Sequence, residues 1–201
     1  MYKVEEDNDY NSLSIARHCR YTIAPDDVRR DDIDILLGNR HSVPDTHMVP
    51  FPQANSFDRV VDLLTILYER GPLTRDDITE NYAFDARQTN YYTDAARYLN
   101  LMDKYTDADS HEVTYKLTND AGALLNQRHK VRYIGLIRKI LEHEVFYRTF
   151  HASLQQGNIP DAEAVADIMK ECNVPLNETT MGRRAGTVRR WIQWIWEQIA
   201  D

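Results

Sequence analysis

Residues 55–118 read NSFDRVVDLLTILYERGPLTRDDITENYAFDARQTNYYTDAARYLNLMDKYTDADSHEVTYKLT, and their order of elements decides the fold. Ser56 is a good N-cap for a helix whose core face, Val60, Leu63, Leu64 and Leu67, recurs at helical spacing until Gly71-Pro72 stops it. The segment Leu73–Ile78 restarts a helix, with Thr74 and Asp77 spaced as a capping box, and this second helix ends near Tyr82-Ala83-Phe84. Asp85 is placed to cap a third helix, Ala86–Met102, with Tyr92, Ala95, Ala96, Leu99 and Met102 inward. Its outer side carries Arg87, Tyr91, Asp94 and Tyr98. Lys104–Thr118 then places Tyr105, Val113, Tyr115 and Leu117 around the polar tip Asp107-Ala108-Asp109-Ser110, which predicts a β-hairpin. Three helices, with the second close to the third and a hairpin directly after, describe a winged helix-turn-helix. A generic three-helix domain with a hairpin shares this order.

Downstream, Thr118-Asn119-Asp120 opens a short helix over Ala121–Gln127. Val131–Leu141 and Val145–Leu154 follow as a helical pair joined near Glu142-His143-Glu144 and ended by Gly157. Pro160-Asp161 opens Ala162–Cys172, and Asn173–Asn177 is a loop. The last helix, Glu178–Ile199, reads ETTMGRRAGTVRRWIQWIWEQI. Ala185, Val188, Ile192, Ile195 and Ile199 share one face, while Arg183, Thr187, Arg190 and Trp194 share the opposite one. Trp191, Trp194 and Trp196 project in three directions, so this end needs cover on several sides, from the first domain or from a second copy. The second half thus repeats the first in outline, without a wing. The expected architecture is mainly α: a tandem winged helix-turn-helix, the first unit with a β-hairpin wing and the second all-helical. Its divisions are an arm and linker over 1–54, a first domain over 55–127 and a second over 128–201.

The arm is less patterned. Pro25-Asp26-Asp27-Val28 can start a short helix through Arg29–Leu37, closed by Gly38 and carrying a narrow stripe of Ile33, Leu36 and Leu37. We expect this region to pack on a partner subunit.

At 201 residues, with 42% hydrophobic and 10% aromatic content, the chain is long enough for one large or two small globular domains. No apolar run reaches a membrane span, and MYKVEEDNDY has no basic-then-apolar leader pattern. Cys19 and Cys172 stand too far apart in sequence for a CxxC and form no disulfide framework, so a cytoplasmic setting is expected. The net charge of −8 disfavours indiscriminate coating of nucleic acid, yet its distribution is uneven. Residues 128–201 carry 11 basic against 9 acidic groups, densest at Arg183–Arg190. Such a chain suits oriented binding.

Catalytic signatures are missing from the sequence. None of Lys3, Lys104, Lys116, Lys130, Lys139 and Lys170 has an acid two residues before it, so the nuclease pattern (D/E)-x-K is absent. His111-Glu112 and His143-Glu144 are each followed by tyrosine, Tyr115 and Tyr147, where a zinc-protease helix needs its second histidine. Tyr133-Ile134-Gly135 matches only half of a GIY-YIG nuclease pattern. The seven glycines form no phosphate loop, and no nucleophile elbow is present. The expectation is a non-catalytic protein with no cofactor and no metal.

The segments Asn55–Val60, Arg87–Tyr92 and Arg183–Ile195 resemble a prokaryotic family of winged-helix modules in which RR-A-x-TV-x-x-W-x-x-W-I closes the domain. Those modules occur alone or attached to restriction endonucleases and other anti-phage defence proteins. The resemblance spans roughly residues 50–200 and implies recognition of double-stranded DNA. Two reading surfaces are expected. On the third helix, Arg87, Gln88, Thr89 and Tyr91 stand where base edges are usually met. On the last helix, Thr179 and Thr180 can bond phosphates, Arg183, Thr187 and Arg190 form the outward stripe, and Arg184 and Arg189 flank it. The expected function is sequence-preferring DNA binding, by a regulator or by the recognition partner of a nuclease or defence protein, with a homodimer as the other partner. The alternative is a protein-interaction scaffold, favoured by the acidic hairpin tip; the arginines would then pair with the chain's own carboxylates.

Overall fold

The computed structural model describes residues 26–44, 48–82, 86–109 and 111–200. In chain order the arm supplies β1 (Val28–Arg29) and α1 (Arg30–Gly38). The first half supplies α2 (Phe57–Arg70), β2 (Leu73–Thr74), α3 (Arg75–Tyr82), α4 (Ala86–Tyr98), β3 (Met102–Thr106), β4 (Val113–Leu117) and α5 (Asn119–Leu125). The second half supplies α6 (His129–Leu141), α7 (Glu144–Gln156), α8 (Ala162–Glu171), α9 (Glu178–Gln198) and β5 (Ile199–Ala200). The protein is mainly helical with a small amount of sheet. Among the described residues no helix is long and apolar enough to cross a membrane.

The helix starts follow their capping residues. The Ser56 hydroxyl accepts the Arg59 N–H at 3.5 Å, Thr118 accepts Ala121 at 3.2 Å, Asp161 accepts Ala164 at 2.9 Å, and Asn177 accepts Thr180 at 2.9 Å. Thr74 and Asp77 form the reciprocal capping box: the Asp77 carboxylate takes the Thr74 N–H at 3.0 Å, and the Thr74 hydroxyl takes the Asp77 N–H at 3.1 Å. The roles expected of Pro25 and Asp85 lie outside the described residues.

Two elements differ from the sequence reading. Leu73-Thr74 is a short strand, not the restart of a helix. With Thr74 acting as the cap, the residues before the helix stay extended, and Leu73 and Thr74 pair antiparallel with Tyr115 and Thr114. The sheet order is therefore β2-β4-β3, with the hairpin as its outer part. The third helix also stops at Tyr98, earlier than Met102. Asn100 turns to a positive φ of 54°, and the Leu101 N–H closes the turn on the Ala96 carbonyl at 2.9 Å. Met102 is released into β3.

The described part of the arm packs on its own chain. Val28 and Arg29 pair in parallel with Ile199 and Ala200. Asp32 meets Lys130 at 2.8 Å, and Arg40 meets Glu144 at 2.6 Å while its Nε donates to the Leu141 carbonyl at 2.6 Å. Val43 donates to the Glu142 carbonyl at 2.9 Å. Beside it, His143 and Glu144 mark a helix junction as read, with His143 the N-cap of α7 and its ring stacked on Tyr98 at 3.9 Å. Gly135 on α6 has a packing reason to be glycine, since a Cβ there would meet Leu124 Cδ1 at 2.2 Å.

A single apolar core runs through both halves. Phe57 of α2 meets Trp191 and Trp194 of α9 at 4.9 and 4.4 Å between ring centroids, and Phe146 of α7 stacks on Trp191 at 5.1 Å. Trp191 is fully buried at the centre. The indole N–H groups of the three tryptophans donate to separate parts of the chain: Trp191 to the Ala54 carbonyl at 2.8 Å, Trp194 to Asp58 at 2.8 Å, and Trp196 to Ser153 at 3.1 Å. Of the two covers the sequence allowed, the first half of the same chain is the one observed. The spine of the molecule is α9.

Candidate nucleic-acid interface

The surface of α4 is set by which residues its packing consumes. Thr89 is buried, its hydroxyl 2.9 Å from that of Thr79, and this bond ties α3 to α4. Thr89 is therefore removed from the expected contact set, because an inward position leaves its hydroxyl nothing to offer a ligand. Arg87 is exposed, and Gln88 and Tyr91 are half-buried. One turn apart on the same face, Arg87 donates from Nε to the Tyr91 phenol oxygen, with Cζ 5.3 Å from the ring centroid. Asp94, the acid expected on this face, is held by Arg97 at 2.9 Å.

On α9 the expected outward stripe is divided. Arg183 and Arg190 are exposed, but Thr187 and Trp194 are buried against the start of α2. The Thr187 hydroxyl donates to Asn55 Oδ1 at 2.9 Å, so Thr187 cannot be a DNA contact. The reason is a second buried face: α9 packs on α2 as well as on α7 and α8. The tryptophans carried this signal, because Thr187 lies one turn before Trp191 and two before Trp194 on the same side. Arg189 is exposed but leans away from the stripe. Its Nε donates to the Pro160 carbonyl at 2.8 Å, toward the α7–α8 connection. Thr179 is exposed at the first turn, and the half-buried Thr180 accepts from Arg183 at 3.5 Å.

Arg184 is the least expected of the group. The sequence reading put it beside the stripe, and the structure sets it half-buried, with its Nε buried and without an acceptor. Burial, and then the neighbouring Arg183 charge, push this guanidinium down from its ordinary range, while the Tyr91 phenol acts in the opposite direction. Tyr91 thus lies in the electrostatic field of Arg184 while accepting from Arg87. Arg87 is bonded to Tyr91 on α4, while Arg183 and Arg184 stand next to each other on α9, with Tyr91 among the charges that act on Arg184. Among the described residues none of these arginines, nor Arg190, forms an ion pair with a carboxylate. A cluster of cations without counter-charges favours an anion.

The sequence reading named Arg59 only within a motif. It stands in the first turn of α2 with its Cζ 5.9 Å from the ring of Tyr92, beside the buried side of α4. On the hairpin, Lys116 lies 5.8 Å from the Tyr105 ring, and the Asp109 N–H bonds Asp107 at 3.0 Å within the tip.

One family, described as "Domain of unknown function (DUF7226)", matches residues 59–200. The chain belongs to that family. Its match takes in α4, the hairpin and all of α9, so Arg87, Tyr91, Arg183 and Arg184 lie within the shared domain, whereas the arm, Asn55 and the Ser56 cap lie before it. No curated protein and no solved structure matches the chain.

Proposed function

We propose that the protein binds double-stranded DNA with sequence preference, using Arg87, Gln88 and Tyr91 on α4 with Arg183 and Arg184 on α9. The observation that carries this reading is the set of arginines Arg87, Arg183 and Arg184 that, among the described residues, form no ion pair with a carboxylate, Arg87 being bonded to the Tyr91 phenol. In this reading residues 57–117 are a winged helix-turn-helix, supported by the order helix, strand, helix, helix, hairpin and by the strand sequence β2-β4-β3. The helices α7, α8 and α9 are its wingless second unit, supported by the short Cys172–Asn177 connection before an arginine-bearing helix. Together they form the tandem arrangement.

The role is non-catalytic and cytoplasmic: a regulator, or the recognition partner of a nuclease, in a restriction or anti-phage setting, as the resemblance of Arg183–Ile195 to such winged-helix modules implies. Fluorescence anisotropy with a mixed-sequence duplex at low salt tests the binding. Retention that weakens steeply as salt rises is expected. Absence of binding to both mixed and selected duplexes sinks the reading and leaves the protein-interaction scaffold.

A further inference from the structure

We propose that the cavity between the arm, the end of α4 and the α6–α7 junction binds one small apolar α-amino acid, with Lys139 taking its carboxylate and Glu142 its ammonium. This site is separate from the arginine surface and stands whether or not the protein binds DNA.

The cavity holds about 310 Å³ and is bounded by the arm and by both halves of the chain. Ligand sites favour such seams and run from about 300 to 1,000 Å³, so this one admits a single small molecule and no peptide. Its arm wall is fixed by backbone bonding: Val43 donates to the Glu142 carbonyl at 2.9 Å and bridges to His143. Tyr98, from the first half, stacks on the buried His143 ring at 3.9 Å and ties α4 to the junction. A cavity held in this way is preformed, which lowers the ordering cost of binding.

The ligand class follows from the lining. Val43, Pro44, Val49 and Leu99 supply apolar surface, and Lys139 and Glu142 supply two opposite charges. Those charges lie 3.5 Å apart, with only 21% and 17% of their side chains exposed. The pair is looser than that of Asp32 with Lys130, at 2.8 Å, and among the described residues neither charged group has another partner. Two charges largely withdrawn from water are costly unless hydrogen bonds complete their shells. The Lys139 ammonium has donors to spare, and the Glu142 carboxylate has free acceptor sites. A ligand of one sign would satisfy one of them and repel the other. A ligand with both signs side by side gives each an opposite charge. An α-amino acid has that head, with its side chain on the same carbon. The apolar lining selects a side chain of the leucine or phenylalanine kind.

Isothermal titration calorimetry of the full chain with L-leucine and L-phenylalanine tests the site. One molecule of at least one of them should bind per chain. Three relatives of leucine should each bind roughly 10- to 150-fold more weakly: 4-methylpentanoate, which lacks the ammonium; 3-methylbutylamine, which lacks the carboxylate; and glycine, which lacks the side chain. Lys139→Gln and Glu142→Gln should each lose affinity for leucine by a similar factor, with circular dichroism unchanged. Lys139→Gln should bind the amine no more weakly than wild type does, because that probe needs Glu142 alone.

If neither amino acid binds at millimolar concentration, the site is wrong. It is equally wrong if 4-methylpentanoate or 3-methylbutylamine matches leucine, or if both glutamine variants keep wild-type affinity. The relatives are compared on wild type, so a variant that fails to fold leaves the question decidable. Loss of the DNA reading changes none of these outcomes.

Discussion

The indole N–H of Trp194 donates to the Asp58 carboxylate at 2.8 Å and fastens α9 to the first turn of α2. The same turn supplies Phe57 to the faces of Trp191 and Trp194. Trp194→Phe should lower stability by about 1–3 kcal/mol, through the lost hydrogen bond and the smaller ring. A double-mutant cycle with Asp58→Ala in urea should give a coupling of about 0.5 kcal/mol or more. Strict additivity of the two single changes shows that the bond contributes nothing.

Thr89 and Thr187 act through the fold. Thr89→Val removes the bond between the two threonine hydroxyls, leaving Thr79 only its bond to the Arg75 carbonyl, and Thr187→Val removes the donor to Asn55 Oδ1. Each should reduce stability by about 1–2 kcal/mol in chemical denaturation. Affinity for a duplex, measured on the folded fraction, should stay at the wild-type value. A folded Thr187→Val that loses affinity restores the residue to the interface.

Much of this frame is legible in the sequence, and the misses have physical causes. Helix boundaries in the second half follow from apolar spacing and from the caps Asp161 and Asn177, because both act locally. Strand β2 is too short for any period, and only pairing with Tyr115 and Thr114 makes it visible. Period alone assigned Thr187 to an outer face, because a single helix cannot show how many neighbours it will pack on. The burial of the Arg184 Nε comes from packing between elements far apart in the chain, so no local pattern reports it. Arginine density marked the region, but its geometry is tertiary.

Gly182 and Gly186 lie on the solvent side of α9, and a Cβ at either one would meet nothing within 4 Å. Gly182→Ala and Gly186→Ala should each raise stability by about 0.5–1 kcal/mol, since alanine suits a helix interior better and clashes with nothing there. Thermal melts of the two variants check this. A fall in the melting point shows that the helix is not regular at these positions.

The clasp between Asp32 and Lys130 should be sensitive to acid. Burial raises the Asp32 carboxyl, but the Lys130 hydrogen bond, the Arg29 N–H and the charges of both residues outweigh it and leave the group below its ordinary value. The folded protein therefore gives up this proton more readily than the unfolded chain. The resulting stability is present above about pH 4 and disappears as pH falls through the lowered folded value. Between about pH 5 and about pH 3 the urea midpoint of wild type should drop further than that of Asp32→Asn. Parallel curves remove the clasp from the acid response.

Ala54, Asp58 and Ser153, the three acceptors of the α9 indoles, all precede Glu178–Gln198 in the chain. During synthesis from the N-terminus, α2 and α7 emerge with the Trp191 position between them still empty. Phe57 and Phe146 stay without their shared neighbour until the last helix leaves the ribosome. Completion of the core thus waits for α9, which closes both halves together.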